Sequence, residues 1–364
     1  MKRRDLIRGL GLGAAAVAAS ACARKSGGAG PGLSSETFEW RLVTTWPPNF
    51  PGLGTGAIEF ARQIEDCSGG RLKIRVYGDG ELVPAFETFD AVSGGTAEMG
   101  HGAAYYWKGK VPAASFFAAM PFGFVAQEMN AWFYHGGGLE LWREAYEPFG
   151  LLPFPCGNSG TQMGGWFRKE IRSLADIRGL KMRIPALGGE VMARAGATPV
   201  TMPGSEIFTA LQTGAIDATE WIGPYNDLAF GFHKAARYYY YPGWHEPGPT
   251  LELIVNRRAW DALPPDLQAI VATCASATND RMSAEFMARN AEALETLVRE
   301  HGVQLRAFPD DVMAALRSYS EQILEENAAR DPLFRRALDS VRAFRAQMTP
   351  YVDIAERAFL NARG

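Results

Sequence analysis

The chain has 364 residues, of which 47% are hydrophobic and 21% charged, so it is long and apolar enough for two globular domains. The formal net charge is −3, and such a balance supplies no basic field for a nucleic-acid partner. After the first 21 residues, no run is long and apolar enough to serve as a transmembrane helix.

Residues 1–21 have the pattern of an export signal. Lys2–Arg8 contains a twin arginine, and Gly9–Ala21 is an apolar stretch too short for a permanent anchor. Small residues before Cys22 favour cleavage there, and Cys22 is a candidate for lipidation. The Gly-, Ser- and Pro-rich residues 22–35 are predicted to be a flexible tether. We therefore expect twin-arginine export to the periplasm, with a lipid anchor at Cys22 left open.

Residues 36–157 are predicted to begin the first of two α/β lobes. Phe38–Leu42 and Leu72–Val76 alternate apolar and charged side chains, as half-buried strands do, and a helical repeat over Ala57–Ile64 separates them. This β-α-β order predicts parallel pairing at the centre of the sheet. Leu151–Phe154 reads as a further strand, after which we place the first crossing between the lobes.

Residues 158–249 are predicted to form the second lobe. Met163–Phe167 and Leu180–Ile184 read as strands, and Glu190–Ala195 reads as a helix that two glycines precede. Tyr238–Tyr241 is predicted to be a strand that returns to the first lobe.

Residues 250–308 are predicted to belong to the first lobe again. They contain a strand at Leu251–Val255, a long helical pattern from Pro264 to about Glu300, and a short strand at Gln304–Phe308. Residues 309–364 are predicted to be helical. Two lobes joined by several crossing segments make a cleft with a hinge, which is a common place for a ligand.

The segment Gly214–Pro224 concentrates binding chemistry at the end of a strand. Gly214 ends a short amphipathic helix, and a few strand-like residues follow it. The carboxylate of Glu220 and the indole of Trp221 then stand where the strand leaves its sheet. Ligands collect at such strand ends in open α/β sheets.

The Gly-Ala-Ile-Asp-Ala part of this segment resembles the helix-to-strand signature of the solute-binding proteins of TRAP transporters. Its continuation Asp-Ala-Thr-Glu-Trp-Ile-Gly-Pro resembles the branch of that family that binds 2-oxo monocarboxylates together with a cation. Other similar blocks lie at residues 130–138, 157–167, 179–183 and 238–244. The resemblance implies an α/β fold of the two-lobe periplasmic binding protein class (type II-like), with hinge-crossing strands and a long lobe-spanning helix.

Arg183 is expected to bind a ligand carboxylate. It lies near the end of a short apolar strand, where a planar guanidinium can hold a carboxylate through two parallel hydrogen bonds. The residues alone also fit a surface arginine on an edge strand. The sequence Gly-Leu-Lys-Met-Arg is similar to the family motif whose arginine takes the ligand carboxylate, so the resemblance implies this role for Arg183.

A cation site is implied by the same resemblance. Carboxylate, amide and backbone oxygens suit sodium or calcium. The family pattern places such oxygens on Gln162, the Glu220 side chain, the Trp221 backbone and Glu246. The family's Trp-Trp-Glu-Gly-Gly-Pro is Trp-His-Glu-Pro-Gly-Pro here, and the added proline leaves the direction of Glu246 open. Ordinary surface ion pairing is the alternative for Glu220 and Glu246.

Four residues are further candidates for contact with the ligand. Tyr105 and Tyr106 follow a predicted strand, and a phenol can donate to a keto or carboxylate oxygen while its ring walls a cleft. Taken alone, a double tyrosine fits packing equally, as Trp221 fits the core. Asn158 either reaches the ligand or supports its own loop.

Enzymatic alternatives find little support in the sequence. The five histidines are scattered without zinc spacing, and no Gly-x-Ser-x-Gly elbow is present. The cysteines beyond Cys22 are Cys67, Cys156 and Cys274, and they leave one disulfide or buried free thiols open.

The function that the resemblance implies is capture of a small, pyruvate-like 2-oxo monocarboxylate with a sodium or calcium ion that bridges ligand and protein. The partners would be the small and large membrane subunits of a TRAP transporter. The helices of residues 309–364 would pair two copies in a homodimer. The alternatives are lactate or another 2-hydroxy acid with calcium, an exported enzyme acting on a carboxylic acid, and a sensor partner for a membrane kinase.

Overall fold

The computed structural model describes residues 36–364, and two β-sheets organise them. The predicted export signal, the tether and Cys22 lie outside the described residues. The strands are β1 Phe38–Thr44, β2 Leu72–Tyr77, β3 Met99–Gly102, β4 Leu151–Asn158, β5 Gly165–Phe167, β6 Lys181–Arg183, β7 Thr198–Val200, β8 Ala218–Thr219, β9 Tyr238–Tyr241, β10 Thr250–Asn256 and β11 Gln304–Ala307.

The first sheet has the strand order β2-β1-β3-β10-β4. Strand β1 pairs in parallel with β2 and β3, which confirms the β-α-β opening. Strand β10 runs antiparallel to its neighbours β3 and β4. The parallel strands β1 and β3 therefore end at the same edge of this sheet, and the loops after them can meet there.

The second sheet has the order β11-β9-β5-β8-β6-β7. Strand β6 is parallel to β7 and β8, so Arg183 and Thr219 end neighbouring strands at one edge. Two predicted details are wrong. Tyr238–Tyr241 stays in the second sheet, between β5 and β11, and Gln304–Ala307 pairs with it instead of joining the first lobe. Both strands are short, and long-range pairing decides which sheet they join.

The helices are α1 Gly54–Cys67, α2 Thr88–Ser93, α3 Ala114–Ala118, α4 Ala126–His135, α5 Gly138–Tyr146, α6 Ala186–Arg194, α7 Gly204–Thr213, α8 Pro224–Phe230, α9 Arg257–Ala262, α10 Pro265–Arg299, α11 Asp310–Arg330, α12 Pro332–Val352 and α13 Ala358–Arg363. A π-helical turn, Asp353–Arg357, joins the last two. Helix α6 begins at Ala186 and therefore earlier than predicted, because the glycines that follow lie inside its first turns. Among these helices of residues 36–364, none has both the length and the apolar composition that a membrane crossing needs.

Helix α10 is the predicted long helix, and it contacts elements of both sheets. It packs against β4 and α1 and also against α8, which follows the second sheet's β8. Tyr225 of α8 donates its hydroxyl to Glu285 at 2.9 Å and its backbone N–H to Asn290 at 2.9 Å. Together with the crossings between β4 and β5 and between β9 and β10, this helix connects the two sheets.

The three cysteines of the described residues are free thiols. Cys156 and Cys274 are buried, and Cys67 is exposed.

Candidate ligand and cation site

A small cavity lies where the strand ends of the two sheets meet. It is partly open to solvent, with about 230 Å³ of empty space when the open part is included, and it is lined by Trp46, Tyr105, Tyr106, Ser159, Gln162, Trp221, Ile222 and Leu251. Trp46 follows β1, the two tyrosines follow β3, and Trp221 follows β8. This placement agrees with the general rule that ligands bind beyond the carboxyl ends of parallel strands.

Arg183 is the last residue of β6 and is almost completely buried, with 1% of its surface exposed. Its Nε donates to the Met202 carbonyl at 3.3 Å. Its Nη1 donates to the backbone oxygen of Glu220 at 3.3 Å and forms an ion pair with the Glu220 carboxylate. Its Nη2 has no hydrogen-bond partner among residues 36–364. A buried guanidinium nitrogen without an acceptor is costly, so Nη2 is a ready donor to an incoming carboxylate.

The ring of Trp221 lies beside this guanidinium. The Arg183 Cζ atom is 5.1 Å from the centre of the indole, within the range of a cation–π interaction. The indole Nε1 donates to Asn226 at 3.3 Å, which fixes the ring plane. Trp221 thus covers Arg183 on one side and lines the cavity on the other.

Three buried side chains with metal-binding atoms converge next to Arg183. One ligand atom each from Glu220, His245 and Glu246 lies within 4.8 Å of the other two. The His245 Nε2 and Glu220 Oε2 atoms are 3.3 Å apart. Gln162 donates its Nε2 to Glu246 Oε2 at 2.8 Å, which aligns the amide with this cluster.

The amide oxygen of Gln162 shows whether the residues of this cluster are suited to bind a cation. This Oε1 atom is buried and accepts no hydrogen bond from any residue in the described range. Glu220 and Glu246 add buried carboxylate oxygens, and in their ionised forms they would set two negative charges against the single positive charge of Arg183. Hard cations prefer such oxygen donors, and one positive ion would offset the excess negative charge. The residues therefore fit a cation.

The electrostatics of the cluster follow from burial. Desolvation raises the pKa of Glu246 well above its usual range, and the charge of Glu220 raises it further while Arg183 opposes this. Burial lowers the pKa of Arg183, but the charge of Glu220 and the interactions with Tyr106 and Tyr105 together outweigh it, and the net pKa is raised. The guanidinium is therefore always charged, whereas the two carboxylates compete for one counter-charge.

The tyrosines of the cavity remain hydrogen-bond donors. Burial raises the pKa of Tyr105 well above its ordinary value and that of Tyr106 to about 12. The two rings meet edge to face with centroids 4.9 Å apart. A neutral phenol in this place can donate to an oxygen of a small acid.

Trp46 completes the aromatic wall. Its ring meets Trp221 edge to face at 6.2 Å and Tyr106 at 6.4 Å. Its Nε1 donates to His101 Nδ1 at 2.8 Å, so the proton of that imidazole is on Nε2, which faces the Cys156 carbonyl at 3.0 Å. Burial lowers the pKa of His101 to about 4, which keeps the ring neutral in this role.

Asn158 is held by its own loop. Its amide nitrogen donates to the Gly248 carbonyl at 3.1 Å and to Thr250 at 3.3 Å, and its oxygen accepts from the Gly160 N–H at 2.8 Å. These contacts support the loop that carries Gln162, which was one of the two roles predicted.

The structure thus brings Arg183, Gln162, Glu220, Trp221 and Glu246 into one buried region with the two tyrosines. Sequence reasoning missed three members of it. Trp46 follows a strand end, and Ser159, whose buried Oγ has no partner within residues 36–364, lies in the same loop as Gln162. For His245 the sequence shows only a departure from the family pattern. The strand-end position of Trp46 was the one usable signal among them.

Comparison with known proteins decides the family. A model of the DctP family, described as bacterial extracellular solute-binding protein, family 7, matches residues 42–331. The chain belongs to the DctP family. A monocarboxylate 2-oxoacid-binding periplasmic protein of Nostoc sp. is 42% identical over 362 residues, which are 99% of this chain and 98% of that relative.

Two solved structures of TRAP periplasmic solute-binding proteins are also similar to this DctP-family chain. One, from Pseudoalteromonas atlantica, contains sodium and pyruvate; it is 44% identical with a TM-score of 0.87, covering 90% of this chain and 99% of its own. The other, from Colwellia psychrerythraea, contains calcium and pyruvate; it is 44% identical with a TM-score of 0.87, covering 90% and 100%. The predicted family, fold and role as a TRAP solute-binding component are confirmed.

Proposed function

We propose that this protein captures a small 2-oxo monocarboxylate of the pyruvate type, with a sodium or calcium ion that bridges the acid and the protein. The observation that carries the proposal is the buried guanidinium of Arg183, with an unpartnered Nη2, beside a carboxylate cluster and a small aromatic cavity. The similarity to the pyruvate-containing structures supports it.

Each group has a chemical task in this proposal. Arg183 holds the ligand carboxylate through charge-assisted hydrogen bonds. Gln162, Glu220, Glu246 and the Trp221 backbone oxygen hold the cation, which supplies positive charge to the carboxylate and 2-oxo oxygens of the acid. Asn158 keeps the Gln162 loop in place.

Size selection follows from the cavity. The rings of Trp46, Trp221 and the two tyrosines narrow this cavity, so we expect it to admit a short acid and to exclude a long chain. Tyr105 and Tyr106 donate to oxygens of the acid, and Ser159 offers a further buried hydroxyl. A short acid with several oxygens satisfies these donors, whereas an apolar chain does not.

Lobe closure couples capture to transport in our proposal. The lobes are residues 36–157 with 250–303 and residues 158–249 with the strand Gln304–Ala307, and the crossings between them act as the hinge. A bound acid with its cation would favour the closed form and present one surface to the small and large membrane subunits. No step of this cycle changes a covalent bond, so we propose a binding protein without enzymatic turnover.

We propose further that two copies pair through the C-terminal helices. Tyr351, Ile354, Phe359 and Leu360 are 68%, 78%, 62% and 51% exposed on the run from α12 to α13. Several exposed large apolar side chains on one helical end are unusual for a monomer and typical of an interface. Export through the twin-arginine signal, with or without a lipid anchor at Cys22, would place the dimer in the periplasm.

Calorimetric titration tests the ligand. The purified protein is freed of ions and titrated with pyruvate in sodium, in calcium and in neither, and then with lactate. The proposal requires pyruvate binding that depends on a cation and is tighter than lactate binding. Tighter lactate binding would favour the 2-hydroxy acid alternative, and conversion of the acid during the titration would favour an enzyme.

A further inference from the structure

We infer that His245 is a nitrogen ligand of the cation, so that the site prefers a divalent ion that accepts nitrogen, such as Zn²⁺ or Mn²⁺, over sodium and calcium. This inference rests on the proposed function for the place of the cation. It goes beyond that function in naming a nitrogen ligand and an ion class for the site.

The geometry places His245 inside the cluster. Its ring is 2% exposed, and its Nε2 lies 3.3 Å from Glu220 Oε2. Two ligands bound to one ion at about 2.0–2.1 Å with tetrahedral angles are also separated by roughly 3.3 Å. Glu246 brings a third ligand atom within 4.8 Å of both. An ion between these atoms would therefore touch the imidazole as well as the carboxylates.

Gln162 gives an independent reason to place an ion there. Its Oε1 is buried without a partner in the described part of the chain, while its Nε2 is fixed on Glu246. A buried amide oxygen without a donor is costly, and a cation bound beside Glu246 would provide the missing positive charge. The set then becomes two carboxylates, one imidazole and one amide oxygen.

The charges of the groups favour a divalent ion. Glu220 and Glu246 oppose the single charge of Arg183, and an acid brings one more negative charge into the same buried space. A divalent ion neutralises the sum, whereas sodium leaves one uncompensated negative charge. A buried charge without a counter-charge raises the free energy. The negative charge of the bound acid therefore strengthens the preference for a divalent ion.

The imidazole nitrogen of His245 determines which divalent ion the site prefers. Calcium prefers oxygen ligands, whereas imidazole suits zinc and other transition ions, and affinity rises from Mn²⁺ to Zn²⁺. An imidazole in the ligand set therefore shifts the preference of the site away from calcium and towards these ions.

Pulsed electron paramagnetic resonance of the ion-free protein reloaded with Mn²⁺ tests this ligand directly. We expect a modulation from a directly bound nitrogen, which changes when the protein is grown with ¹⁵N-labelled histidine. The stacked pair of His233 and His301, with ring centroids 4.1 Å apart, is the competing imidazole site. The variant His301→Gln should keep the signal, and His245→Gln should lose it.

Calorimetry gives the ion preference. Zn²⁺ should bind at least about tenfold more tightly than calcium, and His245→Gln should remove this preference while it retains calcium binding. Absence of a histidine nitrogen signal in the unsubstituted protein, or an unchanged preference in His245→Gln, would overturn the inference. A pyruvate titration of the same sample separates the two proposals. Pyruvate binding with an all-oxygen ion defeats only this inference, whereas a histidine-bound ion without acid binding defeats the proposed function.

Discussion

Arg183 and Glu220 form an ion pair that is closed off from water, with 1% of each side chain exposed. One guanidinium nitrogen is used in this pair, and Nη2 is left without a partner within residues 36–364. Arg183 ends β6 and Glu220 directly follows β8, the neighbouring parallel strand, so the sheet itself sets their distance. In this pair Glu220 neutralises the charge of Arg183. We expect an acid and a cation to separate the pair, with the acid on Arg183 and the cation on Glu220.

Replacement of Arg183 by alanine should abolish acid binding. Truncation of one partner in a buried charge pair costs about 2–5 kcal/mol, which corresponds to a loss of roughly 30- to several-thousand-fold in affinity. The control is Arg194→Ala, because Arg194 forms a more exposed ion pair with Glu326 on the surface. Titration with pyruvate measures both variants, and equal affinity in the two would contradict the role of Arg183.

Cation and acid should bind cooperatively. An ion on Glu220 releases Arg183 from its partner, and an acid on Arg183 removes a competitor for Glu220. The coupling should be about 1–3 kcal/mol, or roughly 5- to 150-fold, and it must be the same in both directions. Pyruvate titrations over a series of calcium concentrations, and calcium titrations with and without pyruvate, measure it. An acid affinity that is independent of the cation would be inconsistent with the pair as the link.

Gly243 should be required for the position of Gln162. A Cβ atom on Gly243 would lie 2.2 Å from the Gln162 carbonyl oxygen, and backbone atoms cannot move away cheaply. Gly243→Ala should therefore displace the Gln162 loop, weaken cation binding and cost about 1–3 kcal/mol of stability. Gly109→Ala is the matched control, since nothing lies within 4 Å of its added Cβ. Cation titration and thermal unfolding compare the two, and equal behaviour would refute the contact.

Glu252 should make stability depend on pH. It is fully buried, accepts hydrogen bonds from Trp107 Nε1 and the Tyr146 hydroxyl, and burial raises its pKa from 4.5 to about 7. The folded state therefore holds this proton more strongly than the unfolded state. The stabilisation is complete below about pH 4.5 and is lost as the pH rises to about 7, a change of up to about 3 kcal/mol.

The variant Glu252→Gln isolates this effect, because a neutral amide of the same shape does not titrate. Between pH 5 and pH 8, the unfolding temperature of the unsubstituted protein should fall more than that of the variant. Parallel curves for the two proteins would show that Glu252 does not titrate in this range.

A charged side chain introduced into the C-terminal helices should dissociate the proposed dimer. Ile354 is 78% exposed, so Ile354→Glu should leave the fold of one copy intact while it places a carboxylate in the interface. Light scattering coupled to size exclusion should change from two copies to one. The exposed Met287 of α10 provides the control Met287→Glu, which should leave the mass unchanged. A monomeric mass of the unsubstituted protein would contradict the pairing.

The sequence was sufficient for those parts of the site that local pattern determines. Arg183 and Glu220 stand at strand ends inside recognisable segments, and the β-α-β opening follows from period and order alone. The sequence was insufficient where residues that are far apart in the chain come into contact. The local pattern predicts a strand at Gln304–Ala307 but places it in the wrong sheet, because its partner, Tyr238–Tyr241, is separated from it by the whole of α10. His245 approaches Glu220 only through the path of a crossing segment, which no local pattern specifies.

A crystal structure of the protein with pyruvate and its cation tests the central claim most directly. We predict the acid in the cavity between Trp46 and Trp221, with its carboxylate on Arg183 Nη2 and the ion against Glu220, Glu246 and Gln162. An acid bound elsewhere, or an Arg183–Glu220 pair unchanged with no ion beside it in the occupied protein, would contradict the account.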